Sequence, residues 1–151
     1  MIPPGETIGI LGGGQLGRML AMAAARLGYR CHAYAPEPQS IAAEVCAAFT
    51  CAPWHDEAAL ARFAADCAVI TYEFENVPVG HLAALGTVPL LPSLRALEVA
   101  QDRLSEKQFV GELGGRTAPF AVVDTPEDLA DALTTIGSPG ILKTRREGYD
   151  G

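Results

Sequence analysis

Short apolar runs alternate with stretches of helical spacing over the first hundred residues. Residues 7–11 (TIGIL) form an apolar run that ends in glycines and predict a first strand. Residues 15–27 then place Leu16, Met19, Leu20, Ala23 and Leu27 on one side of a helix, which Gly28 closes. A second strand is expected over residues 29–35, stopped by Pro36. A short helix follows over 40–45 and a brief strand over 49–51. Asp56 suits the N-cap of a helix over 57–65, and 68–72 (AVITY) reads as a buried strand. Residues 88–91 read as a further strand with Pro89 inside it and Pro92 closing it. Strands separated by helices imply right-handed crossovers and a parallel sheet, so the fold expected is a Rossmann-like α/β layer.

The pattern changes near Ser93. A helical stretch runs over 93–113 with a break expected at Asp102 and Arg103. A strand is expected over 120–123, and Thr125, Pro126, Glu127 and Asp128 then give a helix start: cap, proline at the first helical position, acids in the first turn. That helix should reach Ile136 and stop at Gly137, before a last strand over 141–143. The sequence ends in a glycine-rich loop soon after, so the second domain is expected to be incomplete within these residues. The division expected is 1–98 and 99–151.

Gly12, Gly14 and Gly17 fit G-x-G-x-x-G between a strand and a helix. Such a turn lets an anion approach the backbone, and the helix N-terminus supplies free N–H groups and partial positive charge. A tight turn without a ligand fits the same spacing. A dinucleotide further requires an acid at the end of the second strand, where Ala35 stands, with Glu37 only after Pro36. A mononucleotide phosphate suits the loop better, and a nicotinamide-dependent oxidoreductase stays open through Glu37.

Composition narrows the partners. At 49% hydrophobic residues the chain can bury a core, and a net charge of −7 makes nucleic acid and anionic membranes poor partners. Met19 to Ala25 is the longest apolar stretch, too short to span a bilayer. Cys31, Cys46, Cys51 and Cys67 lack C-x-x-C spacing, and no signal peptide opens the chain, so free thiols in a cytoplasmic protein are expected. His32, His55 and His81 show no ligand spacing, no metal site is expected, and Trp54 reads as a packing anchor.

Four segments together resemble one family. They are Gly-Gly-Gly-Gln-Leu-Gly-Arg-Met (12–19), Thr-Tyr-Glu-Phe-Glu-Asn-Val (71–77), Gln-Asp-Arg-Leu-Ser-Glu-Lys (101–107) and Lys-Thr-Arg-Arg-Glu-Gly-Tyr-Asp-Gly (143–151). In this order they are similar to the N5-carboxyaminoimidazole ribonucleotide synthetases, ATP-grasp ligases of purine biosynthesis. The resemblance implies a pre-ATP-grasp domain followed by the start of an ATP-grasp domain. It also implies ATP-dependent carboxylation of 5-aminoimidazole ribonucleotide with bicarbonate by way of carboxyphosphate, with magnesium on the ATP phosphates and a homodimer. Another ATP-grasp carboxylate–amine ligase and a non-catalytic nucleotide-binding fragment are the other readings. Taken alone, residues 1–151 are expected not to turn over, because the family's magnesium-holding acids come later.

The resemblance also distributes roles. Gly14, Gln15 and Leu16 would meet the substrate's 5′-phosphate, chiefly through backbone N–H groups, with Arg18 either assisting or lying solvated. Glu73 and Glu75, expected on one face of an extended segment, would meet the amine or ribose hydroxyls, Glu73 also as an acid–base group. Arg103 and Lys143 match ATP-contacting positions, whereas Arg145 and Arg146 are expected to be solvated. Gly148, Tyr149, Asp150 and Gly151 would close over the phosphates, with Tyr149 and Asp150 near the reacting groups and Asp150 as proton acceptor.

Overall fold

Strand β1 (Thr7–Leu11) occupies an inner position, pairing in parallel with β2 (Arg30–Ala35) on one side and β4 (Val69–Tyr72) on the other. β3 (Ala48–Cys51) pairs with β2, giving a four-stranded sheet of order β3-β2-β1-β4. The computed structural model describes residues 1–148 and divides into two units, Met1–Leu97 and the residues from Glu98 onward.

In the first unit β1 and β2, flanked on both sides, are the most buried strands, and β1 is accordingly almost wholly apolar. On one face lies the larger core, including Leu11, Tyr34, Leu60, Phe63, Ile70 and Leu97. Full burial of one such side chain is worth about 1.5–3 kcal/mol. Helix α2 (Glu57–Ala65) covers this face, its first turn capped by Asp56, which accepts from the Ala59 N–H at 2.9 Å. A Cβ on Gly9 would sit 2.8 Å from the Phe63 ring, so glycine in β1 lets that ring lie against the strand. Trp54 is indeed a packing residue, its ring centroid 5.3 Å from that of Tyr34. Burial pushes the thiols of Cys31 and Cys67 up to about 11 and about 12, keeping both protonated.

Helix α1 (Gln15–Arg26) covers the other face differently from the expectation. Its buried residues are Gly17 and Ala21, which let the helix sit close to the sheet. The expected apolar side stays outside: Leu16, Met19, Leu20 and Leu27 are 56%, 57%, 44% and 69% exposed. The periodicity is present in the sequence, but the small residues, rotated by roughly 100° about the axis, are the ones that face the strands.

Other expectations change for lack of partners. Residues 40–45 form successive turns rather than a helix, and 88–91 contribute one bridge, Leu90 to Ile70, instead of a strand. A 3₁₀ helix, Val79–Leu85, had no forecast; it buries Leu82 and Leu85 in the main core.

In the second unit the helical stretch breaks at Asp102 as expected, into α3 (Leu94–Gln101), which begins in the first unit, and α4 (Arg103–Glu112). Helix α5 (Pro126–Ile136) starts with a full capping box, Thr125 accepting from the Asp128 N–H and Asp128 from the Thr125 N–H. Residues 120–123 and 141–143 lie in no strand. Their apolar side chains are β-type, but a strand exists only against a neighbour, and neither segment pairs with one among the described residues.

Candidate functional site

The first candidate site is the turn between β1 and α1. Gly12 adopts φ +117, a left-handed conformation open to glycine. The turn's backbone is held by the chain itself: the Gly12 N–H donates to Tyr34 O (2.9 Å), and Gly13 O accepts from Ser40 Oγ (2.9 Å) and the Ala42 N–H (3.1 Å). Gly14 is the helix N-cap and its N–H donates to Glu73 Oε1 at 2.7 Å. Glu73 follows the end of β4, and its own N–H donates to Leu11 O at 3.0 Å. Its side chain lies across the glycines, so a Cβ on Gly12 would come within 2.6 Å of it and one on Gly17 within 3.3 Å.

Glu73 therefore occupies the anion-attracting end of α1 that an open glycine turn would present to a phosphate. Gly14, Gln15 and Leu16 stand at the mouth, with Gln15 and Leu16 exposed. The first-turn N–H groups of Gln15 and Leu16 have no carbonyl to reach within the helix. Glu75 lies in a turn after the strand has ended, so the alternation expected of Glu73 and Glu75 stops at Glu73. Arg18, its side chain about a third exposed, forms an ion pair with Glu44 and donates to Ile41 O at 3.3 Å. Ala35 is fully buried against Gly13 and Glu37 is exposed, so the end of β2 presents no acid to a ribose.

Replacing Gly12 by alanine is expected to cost about 3 kcal/mol, combining left-handed strain of about 1–2 kcal/mol with overpacking against Glu73. Gly5→Ala separates the two terms, because Gly5 has φ +95 and open space around it. Urea unfolding should show a loss near 1 kcal/mol for Gly5→Ala. Equal losses at both positions would mean that Glu73 does not fill the loop.

The second candidate site lies within the second unit. A cleft of about 640 Å³ is lined by Arg103, Lys107, Lys143 and Arg145, with an apolar wall that includes Phe120, Val122, Leu133 and Ile141. Among the described residues no carboxylate lines it, although the chain carries a net charge of −7. Lys107 places Nζ 5.0 Å over the Phe120 ring and donates to Ala118 O at 3.4 Å. The cleft thus joins cationic groups to an apolar, partly aromatic surface, the combination that suits a nucleotide's phosphates and base.

Asp102 organises one edge of this cleft. It is 7% exposed and accepts from the Leu104 and Ser105 N–H groups at 3.0 and 3.1 Å, capping α4. Arg145 donates to it through Nη2 (2.8 Å) and Nε (3.3 Å), while the Arg103 N–H donates to Arg145 O at 2.9 Å. Arg145 is exposed as expected but also tied to Asp102, and Arg146 Nε lies 3.8 Å from the same carboxylate. Burial alone would raise the Asp102 pKa, but the Ser105 N–H, Arg145 and the Leu104 N–H together hold it below the usual carboxylate range. The Asp-Arg pairing across 43 positions has no sequence signal. The cap did: an aspartate at a helix break.

Arg103 and Lys143, separate in sequence, line one cleft, and Gly148 lies in a turn after it. Tyr149, Asp150 and Gly151 lie outside the described residues. Among the described residues no cluster of three or more His, Cys, Asp or Glu could hold a metal, and no helix is long and apolar enough to cross a membrane.

Residues 5–101 match the ribonucleotide synthetase preATP-grasp domain model. The N5-carboxyaminoimidazole ribonucleotide synthase of Brucella melitensis biotype 1 is 54% identical over 151 residues, 99% of this chain and 42% of that protein. The N5-carboxyaminoimidazole synthetase of Staphylococcus aureus complexed with ADP superposes with a TM-score of 0.93 at 39% identity, over 99% of this chain and 40% of that one. The Aspergillus clavatus N5-carboxyaminoimidazole synthase, in complex with ADP and 5-aminoimidazole ribonucleotide, gives 0.80 at 29% identity, over 95% of this chain and 39% of that one. The chain spans about two-fifths of the length of these relatives.

Proposed function

The chain belongs to the ribonucleotide synthetase preATP-grasp domain family, and from that premise we propose that it is the N-terminal part of an N5-carboxyaminoimidazole ribonucleotide synthetase. The reaction is ATP-dependent carboxylation of the exocyclic amine of 5-aminoimidazole ribonucleotide. ATP phosphorylates bicarbonate to carboxyphosphate, the amine takes up the carboxyl carbon, and ADP and phosphate leave. The observation that carries this reading is the cleft that gathers Arg103, Lys107 and Lys143 beside an apolar, partly aromatic wall.

In this reading the second unit begins an ATP-grasp domain and its cleft takes ATP. Lys143 and Arg103 neutralise the phosphates, where positioning and charge supply most of the catalysis of phosphoryl transfer. Magnesium would be bound by the phosphate oxygens and by carboxylates outside the described lining of this cleft. Gly148 to Gly151 would close over the nucleotide, with Tyr149 and Asp150 serving the amine.

The ribonucleotide would lie at the mouth of the glycine turn. Its 5′-phosphate would take the free N–H groups of Gln15 and Leu16, beside Gly14. Glu73, fixed through one oxygen by Gly14, has its second oxygen for a ribose hydroxyl or the amine, with Glu75 nearby in sequence. Expected localisation is cytoplasmic, and the expected assembly is a homodimer.

ADP release by the full-length polypeptide, with ATP, magnesium and bicarbonate, tests the reading. Stimulation by 5-aminoimidazole ribonucleotide is expected, and its absence in a folded protein overturns the proposal. Glu73→Gln should raise KM for the ribonucleotide about tenfold, the equivalent of one charge-assisted hydrogen bond. KM for ATP should stay unchanged; a parallel rise in both would remove Glu73 from the ribonucleotide site.

A further inference from the structure

We infer that Glu73 sets the anion specificity of the glycine turn, admitting a phosphomonoester at Gln15 and Leu16 and shutting a diphosphate out of Gly12 to Gly14. The inference rests on the seat proposed above for the 5′-phosphate, and adds the class of ligand that the turn refuses.

A glycine turn ahead of a helix ordinarily offers its whole backbone to phosphates. Here side chains of the same protein have taken the first part of it. Glu73 Oε1 accepts from the Gly14 N–H at 2.7 Å. A Cβ on Gly14 would lie 3.0 Å from that oxygen, and one on Gly12 would lie 2.6 Å from it. Gly13 is closed by other neighbours, for a Cβ there would run into Ser40 Oγ and lie 2.8 Å from the Cβ of Ala35. The glycines thus make room for the chain's own side chains, Glu73 above all. A phosphate laid over Gly12 to Gly14 would have to displace that carboxylate.

Charge acts in the same sense. α1 has no acid in its first turn and no side-chain cap. Glu73, 59 positions away, supplies the negative group at this end instead. A full carboxylate charge outweighs the partial charge of about +0.5 at a helix N-terminus. The residue is fixed beside the turn by its own N–H, which donates to Leu11 O at 3.0 Å. Arg18, the cation nearest the turn in α1, is paired with Glu44 and is not free to neutralise a second phosphate. The N–H groups of Gln15 and Leu16 come next along the helix and have no intrahelical acceptor, so they suit a single phosphate.

Isothermal titration calorimetry on the full-length polypeptide tests this, with inorganic phosphate and inorganic pyrophosphate as probes. Magnesium is left out and ADP saturates the nucleotide cleft. The unsubstituted protein should bind pyrophosphate no more tightly than phosphate. Glu73→Ser removes charge and bulk together and should tighten pyrophosphate at least about tenfold, the equivalent of one hydrogen bond to a charged group. The gained binding should be displaced by 5-aminoimidazole ribonucleotide. Glu73→Gln keeps the bulk, removes the charge and should gain by a smaller factor. Both substitutions should weaken the ribonucleotide itself, so the two ligands move in opposite directions, which a loss of folding cannot produce. No gain for pyrophosphate in either folded variant overturns the inference, and so does a gain that the ribonucleotide fails to displace. Failure of the proposed reaction is read separately, as ADP release that the ribonucleotide does not stimulate.

Discussion

Nucleotide binding should fall about 100-fold when Lys143 is replaced by alanine, read as the Kd for ADP by isothermal titration calorimetry on the full-length polypeptide. Among the described residues the cleft is lined by Arg103, Lys107, Lys143 and Arg145 and by no carboxylate. Arg145 is committed to Asp102, and Lys107 lies over the Phe120 ring. That leaves Lys143 and Arg103 as the other two cations lining the cleft, Lys143 directly after Ile141 and Leu142 of its apolar wall. A hydrogen bond to a charged group is worth about 1.5–3 kcal/mol, and stranding a phosphate charge places the effect near the top of that range. Arg103→Ala should cost less, about tenfold, because Lys107 and Lys143 remain on the cleft to meet the anion. Raising the salt concentration should shrink the Lys143→Ala difference. A change below about threefold for Lys143→Ala would remove this cleft from the ATP site.

Asp102→Ala should be the second large effect, destabilising the second unit by about 2 kcal/mol. About 1 kcal/mol is the lost N-cap of α4 and the rest the lost pairing with Arg145, discounted because the guanidinium is half exposed. Asp102→Asn keeps cap geometry and removes the charge, so it isolates the pairing. The folded-state pKa of Asp102 lies below its ordinary 3.8, so the carboxylate's contribution is full above that value. It disappears as pH falls through the lower folded-state value. The stability gap between the unsubstituted protein and Asp102→Asn should therefore be constant from pH 7 to about 5 and close in the acid range below about 4. A gap that persists undiminished at pH 2 would mean the charge is not its source. Because the Arg103 N–H also donates to Arg145 O, the substitution should weaken ADP binding as well.

Much of this was legible in the sequence because local rules decided it. β1 and α2 fall on the expected residues, and the capped start of α5 and the break at Asp102 follow from short-range side-chain chemistry. The glycine turn was legible as a turn. Its occupation by Glu73 was not, since the Gly14–Glu73 contact spans 59 positions and depends on β1 and β4 being neighbours. Residues 88–91, 120–123 and 141–143 carry strand composition, but composition cannot supply a partner strand. α1 shows the converse. Its apolar period was read correctly, while the assumption that the large residues face the sheet failed, because Gly17 and Ala21 allow a closer approach than leucine would. Lys107 was visible only as part of a motif, and its place in the cleft comes from Phe120 folding back over α4.

The seating of α1 on two small residues makes the helix a lever. Ala21 touches no ligand, yet it lies six positions beyond Gln15, about 9 Å along the axis. An added methylene there would tilt the whole rod, since a close-packed contact cannot absorb it locally. The far end of the tilt is the mouth of the glycine turn, where a few tenths of an ångström decide whether Gly14 still reaches Glu73. Recognition at one end of the helix and steric tolerance at its middle are therefore a single constraint. An enzyme engineer who alters Ala21 to improve packing is also re-aiming the N–H groups of Gln15 and Leu16.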